Sequence, residues 1–210
     1  MNRRIGRLGG IEGNQRLTEA LALVLLVLLA VESATTLDLS AYLAVHIFLG
    51  LILLPVVSLK LASTGWRATR YYTGAADYRS KGPPSLLLRL LAPPLVAATV
   101  VLFATGVAFL VTGRGGGLLL TLHAASFAVW GAIMAVHVLS YLRRVLSDGL
   151  ADWQPQRALP GARLRQTLLF GSLVAGAALA LATLPSQSTW RSHHHDHHHD
   201  RGRSAHSESG

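Results

Sequence analysis

The most informative segment of the sequence is GLLLTLHAASFAVWGAIMAVHVLSYLRRV, from Gly117 to Val145. Before its arginine pair it contains two histidines and no other acidic or basic residue, and it is long and apolar enough to cross a bilayer. His123 and His137 are fourteen positions apart. This spacing is roughly 40° short of four helical turns, so both imidazoles lie on one face, about 21 Å apart along the axis. Ionisable groups at membrane depth are functional hypotheses by default.

Four further segments have the length and composition of membrane spans. Leu39–Leu59 and Leu90–Thr112 contain no formally charged residue. With their flanks, the five predicted spans are 17–37, 39–62, 86–112, 117–142 and 166–185. The charged fraction is 14%, against about 25% in soluble domains. The sequence therefore predicts an all-α polytopic membrane helix bundle with five spans, of which the second to fifth form the bundle.

The first hydrophobic segment has two interpretations. The twelve apolar residues Ala20–Val31 lie between Glu19 and Glu32, which suits the core of a signal peptide, and the following Glu32-Ser33-Ala34 loosely resembles a cleavage site. Extended to 17–37, the same segment is an uncleaved span or signal anchor. We favour the span, because cleavage sites avoid an acidic residue so close and multi-span proteins often begin this way.

The basic residues orient the predicted spans. With the odd spans running outward, fifteen Lys and Arg residues collect on the inner side and only Arg114 lies in an outer loop between spans. The positive-inside rule then places the amino terminus inside and the carboxyl tail outside. We expect a basic cytoplasmic start at 1–16, a bundle at 17–190, a disordered tail at 191–210 and a multi-pass location in the plasma (inner) membrane. The net charge of +9 is explained by topology, without nucleic acid.

A second histidine lies at the depth of His123. His46 is about eight residues from the outer end of its span, and His123 about seven from the outer end of its own. Both spans run from outside to inside, so the two imidazoles can face each other. Two facing neutral imidazoles are axial ligands for a six-coordinate haem without a vacant position. Gly50 and Gly131, further along the same helices, would let a flat macrocycle approach the backbone.

Other uses of these histidines remain open. A membrane histidine can serve a proton or ion relay, or can hydrogen-bond between helices. Spans two to five have no Asp or Glu in their middle, which argues against a proton-coupled transporter. The absence of cysteine excludes thiolate zinc sites, iron–sulfur ligation and haem attached through Cys-x-x-Cys-His.

These histidines resemble those of a known family. Histidines fourteen apart on the fourth span, facing a histidine on the second, look like the cytochrome b subunits of quinol-oxidising complexes, in which two b haems are stacked between these helices. The chain is also similar to the small b-type cytochromes that serve nickel–iron hydrogenases and formate dehydrogenases. The resemblance covers Leu39 to Val145 and implies a four-helix haem bundle with one or two haem b groups.

The sequence departs from that family at one ligand position. Fourteen residues after His46 the pattern expects a histidine, and this chain has Lys60. A neutral lysine amine could ligate an inner haem together with His137, but lysine at this depth ordinarily extends to the membrane surface. His137 could therefore bind a second haem, hydrogen-bond within the bundle or lie beside a quinone. The outer haem, on His46 and His123, is the firmer expectation.

Two basic or histidine-rich segments have further candidate roles. In the inner loop, Arg67 and Arg70 could hold haem propionates or dock a soluble partner, or belong to an ordinary interfacial belt. The tail contains two histidine triplets, each followed by an aspartate, and such clusters bind zinc, nickel or copper. The predicted tail ligands are His193, His194, His195, His197, His198 and His199.

The function predicted from the sequence is electron transfer. We expect a membrane b-type cytochrome that passes electrons between the quinone pool and a redox partner subunit, with membrane lipid around it. No dehydrogenase, flavin or nucleotide motif is present, so the protein would be a subunit of an oxidoreductase, without a catalytic residue of its own. The alternatives are a protein that handles or transports metal ions collected by the tail, and a non-catalytic membrane scaffold.

Overall fold

The structure, a computed structural model, describes residues 10–80, 82, 85–113 and 116–184. All regular elements of this part of the chain are helical: α1 (Gly10–Thr35), α2 (Leu39–Tyr72), α3 (Ala76–Arg79), α4 (Leu86–Thr112), α5 (Gly117–Asp148) and α6 (Ala162–Ala182). Short 3-10 turns at Thr36–Asp38 and Ala151–Trp153 connect α1 to α2 and α5 to α6. The predicted all-α class is confirmed.

Four helical segments of the described chain are long and apolar enough to cross a membrane: Gly10–Tyr72, Leu86–Thr112, Gly117–Trp153 and Ala162–Ala182. They indicate a membrane protein. The first of these segments, 63 residues long, is folded back on itself. This is shown by a hydrogen bond between its two ends, in which the Asn14 side chain donates to the Ser63 carbonyl at 3.3 Å. It therefore consists of the antiparallel helices α1 and α2.

The turn between α1 and α2 is set by Asp38. Its carboxylate accepts a hydrogen bond from the Ala41 amide at 3.1 Å and another from the Ser40 hydroxyl at 2.6 Å, and so caps the first turn of α2. The hydrogen bond from Ser40 lowers the pKa of Asp38. We call this side of the molecule the turn end, and the side with Asn14 and Ser63 the opposite end.

α1 is part of the core, and not only an anchor beside a four-helix bundle. One buried cluster consists of residues from α1, α2 and α6: Leu17, Ala20, Leu21, Leu25, Leu53, Val56 and Leu169. A second joins Leu95 and Ala98 of α4 to Trp130 of α5. Since lipid tails are as apolar as these side chains, close packing must supply much of the association between the helices.

Polar contacts strengthen the α1–α2 pair at the opposite end. The Ser63 hydroxyl donates to Asn14 Oδ1 at 2.7 Å and lies 2.8 Å from the Thr18 hydroxyl. The Lys60 ammonium donates to the Thr18 carbonyl at 2.5 Å. These bonds connect residues more than forty positions apart, so they fix α1 against α2 in one register.

The connection between α5 and α6 is closed by a buried ion pair. Arg165 donates from Nε to Asp152 Oδ2 at 2.5 Å and from Nη2 to Oδ1 at 2.7 Å. The same guanidinium also donates to the Pro160 and Leu159 carbonyls. With 2% and 9% of their surfaces exposed, Arg165 and Asp152 form a paired charge that anchors the start of α6.

Candidate functional site

His46 lies near the turn end of α2, with its side chain 22% exposed. Its Nδ1 atom is 2.9 Å from the Thr35 hydroxyl and 3.1 Å from Glu32 Oε1, both of which belong to α1. The fold-back of the chain at Thr36–Asp38 brings these groups together. The imidazole is therefore held by two side chains of the neighbouring helix.

The hydrogen bonds of Thr35 define the protonation of this ring. The Thr35 hydroxyl donates its one proton to the Glu32 carbonyl at 2.6 Å. With the proton placed there, the hydroxyl oxygen accepts from His46, which is the arrangement with the imidazole proton on Nδ1. Nε2 of His46 is left with its lone pair.

His123, near the start of α5, has the same arrangement with a different helix. Its Nδ1 atom lies 2.8 Å from the hydroxyl of Thr105 on α4. That hydroxyl donates back to the carbonyls of Val101 and Leu102, at 2.7 and 3.0 Å, so it too must accept from Nδ1–H. The edge of Phe109 packs on the imidazole with ring centres 5.4 Å apart.

The two predicted ligands lie on different helices, His46 near the start of α2 and His123 near the start of α5. The side-chain contacts of both rings fall on Nδ1, and the Leu102 backbone is a further hydrogen-bond partner of His123. α2 packs mainly on α1 and α6, whereas α5 packs mainly on α4 and α1. Two neutral imidazoles with available Nε2 lone pairs are the donor set that bis-histidine haem requires.

The two predicted glycines have different surroundings. A Cβ atom at Gly50 would lie 3.5 Å from Glu32 Oε1, so this position faces the carboxyl group that contacts His46. A Cβ atom at Gly131 would have no neighbour within 4 Å, which leaves open space beside α5. Gly106, which the sequence interpretation missed, faces the ring of His123, since a Cβ atom there would lie 3.6 Å from Cε1.

His137 and Lys60 lie toward the opposite end. The Lys60 ammonium donates to the Thr18 carbonyl, and the ring of His137 packs on Tyr141 with centres 5.1 Å apart. Lys60 thus has a hydrogen-bonding role between α1 and α2.

The predicted propionate-binding arginines are far from the His46 ring. Arg67 is 21 residues beyond His46 on the same helix, which is about 32 Å at 1.5 Å per residue. The Arg70 guanidinium, one turn further, lies 5.8 Å from the centre of the Trp66 ring. Both arginines therefore belong to the surface at the opposite end, where an interfacial belt of arginine and aromatic side chains is expected.

Three site residues were missed in the sequence. Glu32, Thr35 and Thr105 orient the imidazoles, but each lies on a different helix from the histidine it contacts. The one sequence clue was the position of each polar residue within or beside an apolar run. The predicted tail ligands, His193 to His199, lie outside the described residues.

The described part of the chain contains no group of three or more His, Cys, Asp or Glu side chains placed to hold a metal ion. In comparisons with known proteins, no family model, no curated protein and no solved structure matches this chain.

Proposed function

We propose that this protein is a membrane b-type cytochrome that transfers electrons between the quinone pool and a redox partner. In this proposal α1 and α2 cross the plasma membrane separately, which gives five spans with the amino terminus inside. The turn end then faces outward. His46 and His123 hold one haem b near the outer leaflet.

One observation supports this proposal above all others. The imidazoles of His46 on α2 and His123 on α5 are each held through Nδ1 by a threonine hydroxyl whose own proton goes to a backbone carbonyl. A histidine that only joined two helices would have no need for an available Nε2. The same histidine as an iron ligand needs this tautomer and this orientation.

The residues around the two imidazole rings have different roles. Thr35 and Thr105 hold the two ring planes and keep the proton on Nδ1. Phe109 packs against His123 in an edge-to-face arrangement and helps to hold its ring in place. When bound, the haem iron supplies reversible one-electron transfer, and two protein ligands leave it no position for oxygen. Any chemistry on a substrate would belong to a partner subunit.

The test is a reduced-minus-oxidised absorption spectrum of the purified full chain, with a haem assay for stoichiometry. We expect a b-type alpha band and one haem per chain. His46→Ala and His123→Ala should abolish the band. His137→Ala is the matched control, because it removes a membrane histidine from α5 without changing the proposed ligand pair.

Four results would contradict or extend the proposal. Absence of haem after expression with adequate haem supply would refute it, as would a band that survives in both His46→Ala and His123→Ala. Two haems per chain would indicate a second, inner haem site at His137. A haem-free protein that loses its function when residues 191–210 are removed would instead be a metal-handling protein.

A further inference from the structure

A carboxyl group contacts only one of the two imidazoles. Glu32 Oε1 lies 3.1 Å from His46 Nδ1, and the Glu32 side chain is 13% exposed. Its other oxygen, Oε2, is buried and has no hydrogen-bond partner in the described part of the chain. An incompletely satisfied carboxyl group in a helix packed against others is costly, so it needs a functional explanation.

The His123 ring has no corresponding contact. Among the described residues its Nδ1 atom contacts the Thr105 hydroxyl, and no acidic side chain bonds to this ring. The two ligands therefore share a threonine acceptor and differ in the added carboxyl group. This carboxyl group comes from helix α1, which contains neither of the two ligands.

We infer that Glu32 is a positioning residue for His46, which fixes the ring and strengthens its donation to the iron. The inference rests on the proposed function. An acceptor on Nδ1–H raises the basicity of Nε2, and in its ionised form the Glu32 carboxylate would be a stronger acceptor than a hydroxyl. A more basic ligand stabilises the oxidised iron. Glu32 therefore lowers the midpoint potential of the haem and increases haem affinity.

The experiment compares Glu32→Gln and Glu32→Ala with the unchanged full chain. Glu32→Gln retains the shape of the side chain and weakens the acceptor. We expect its midpoint potential to rise by about 59 mV, which is a tenfold change in the ratio of the two redox states for one electron. For Glu32→Ala, which also frees the ring, we expect a 10–100-fold loss of haem affinity, the range typical for lost outer-shell partners.

Glu12→Gln is the matched control, because it makes the same chemical change on the same helix at an exposed position. It is 20 residues, or about 30 Å, before Glu32. A second readout, independent of haem, is ¹⁵N NMR of labelled histidine in the haem-free chain. We expect the Nδ1–H form of His46 in the unchanged protein and a mixture of tautomers when Glu32→Ala is combined with Thr35→Val.

The outcomes separate the inference from the proposed function. If the unchanged chain binds no haem, the proposed function fails and the inference fails with it. If the chain binds haem but Glu32→Gln and Glu12→Gln have equal potentials and affinities, the inference alone is overturned. A rise in potential confined to the Glu32 variants supports the inference.

Discussion

Helix α6 crosses α2 closely at Gly176. A Cβ atom at this position would lie 2.6 Å from the Ile52 carbonyl oxygen, 2.7 Å from its Cα and 3.0 Å from its carbonyl carbon. These are backbone atoms, so no side-chain rotation can relieve the overlap. Gly176→Ala must therefore push α6 away from α2.

Two opposing effects determine how Gly176→Ala changes the free energy of unfolding. Overpacking by one methyl group at a rigid contact costs about 1–3 kcal/mol, whereas replacing glycine by alanine within a helix stabilises it by about 1 kcal/mol. Gly171 on the same helix is a matched control, since a Cβ atom there would have no neighbour within 4 Å. Gly171→Ala has only the stabilising effect of replacing glycine by alanine in a helix. We expect Gly176→Ala to be about 1–3 kcal/mol less stable than Gly171→Ala.

Unfolding in mixed micelles of increasing SDS fraction measures this difference. Tryptophan fluorescence can follow the transition, because Trp130 is buried. If Gly176→Ala and Gly171→Ala unfold at the same SDS fraction, α6 does not cross α2 as closely as described. The result also concerns the site, because α2 contains His46 and a displaced α2 would weaken haem binding.

Two further predictions concern the opposite end. Asp152→Ala removes the carboxylate that pairs with the buried Arg165 guanidinium, and should cost about 3–5 kcal/mol in the same unfolding assay. Asp148→Ala, at a partly exposed ion pair, should cost at most about 1 kcal/mol, and equal losses would contradict this difference in burial. Lys60→Met should retain the haem stoichiometry and lose about 1 kcal/mol with the bond to Thr18, whereas loss of haem would show that Lys60 is a ligand.

The helices could be predicted from sequence because their cause is local. Each apolar segment must satisfy its own backbone in lipid, and only a helix does so within one segment. The packing of α1 was not predictable in the same way. Glu19 flanks the first apolar run in the sequence, yet both Glu19 and Asn14 are buried, with Asn14 bonded to Ser63 and Glu19 to Arg144. Such partners become visible only when the register between helices is known.

The candidate site, too, could be predicted from the sequence only in part. Counting residues from the ends of two spans was enough to predict that His46 and His123 lie at similar depth, because rise per residue is constant. The orienting groups depend on which faces of α1 and α4 turn toward these rings. Thr35 and Thr105 also form bonds within their own helices, so nothing in the local sequence distinguishes them from other threonines.

The two ends of the bundle use their polar groups differently, and this difference favours one haem over two. At the turn end, the hydrogen bonds of both histidines fall on Nδ1 and leave Nε2 available. At the opposite end, the bond from Lys60 to Thr18 and the ion pair of Glu19 with Arg144 connect helices. An inner haem held by His137 and Lys60 would have to break the first of these bonds. The polar groups of the opposite end therefore fit the role of holding α1 and α5 in place, with the ligand pair at the turn end.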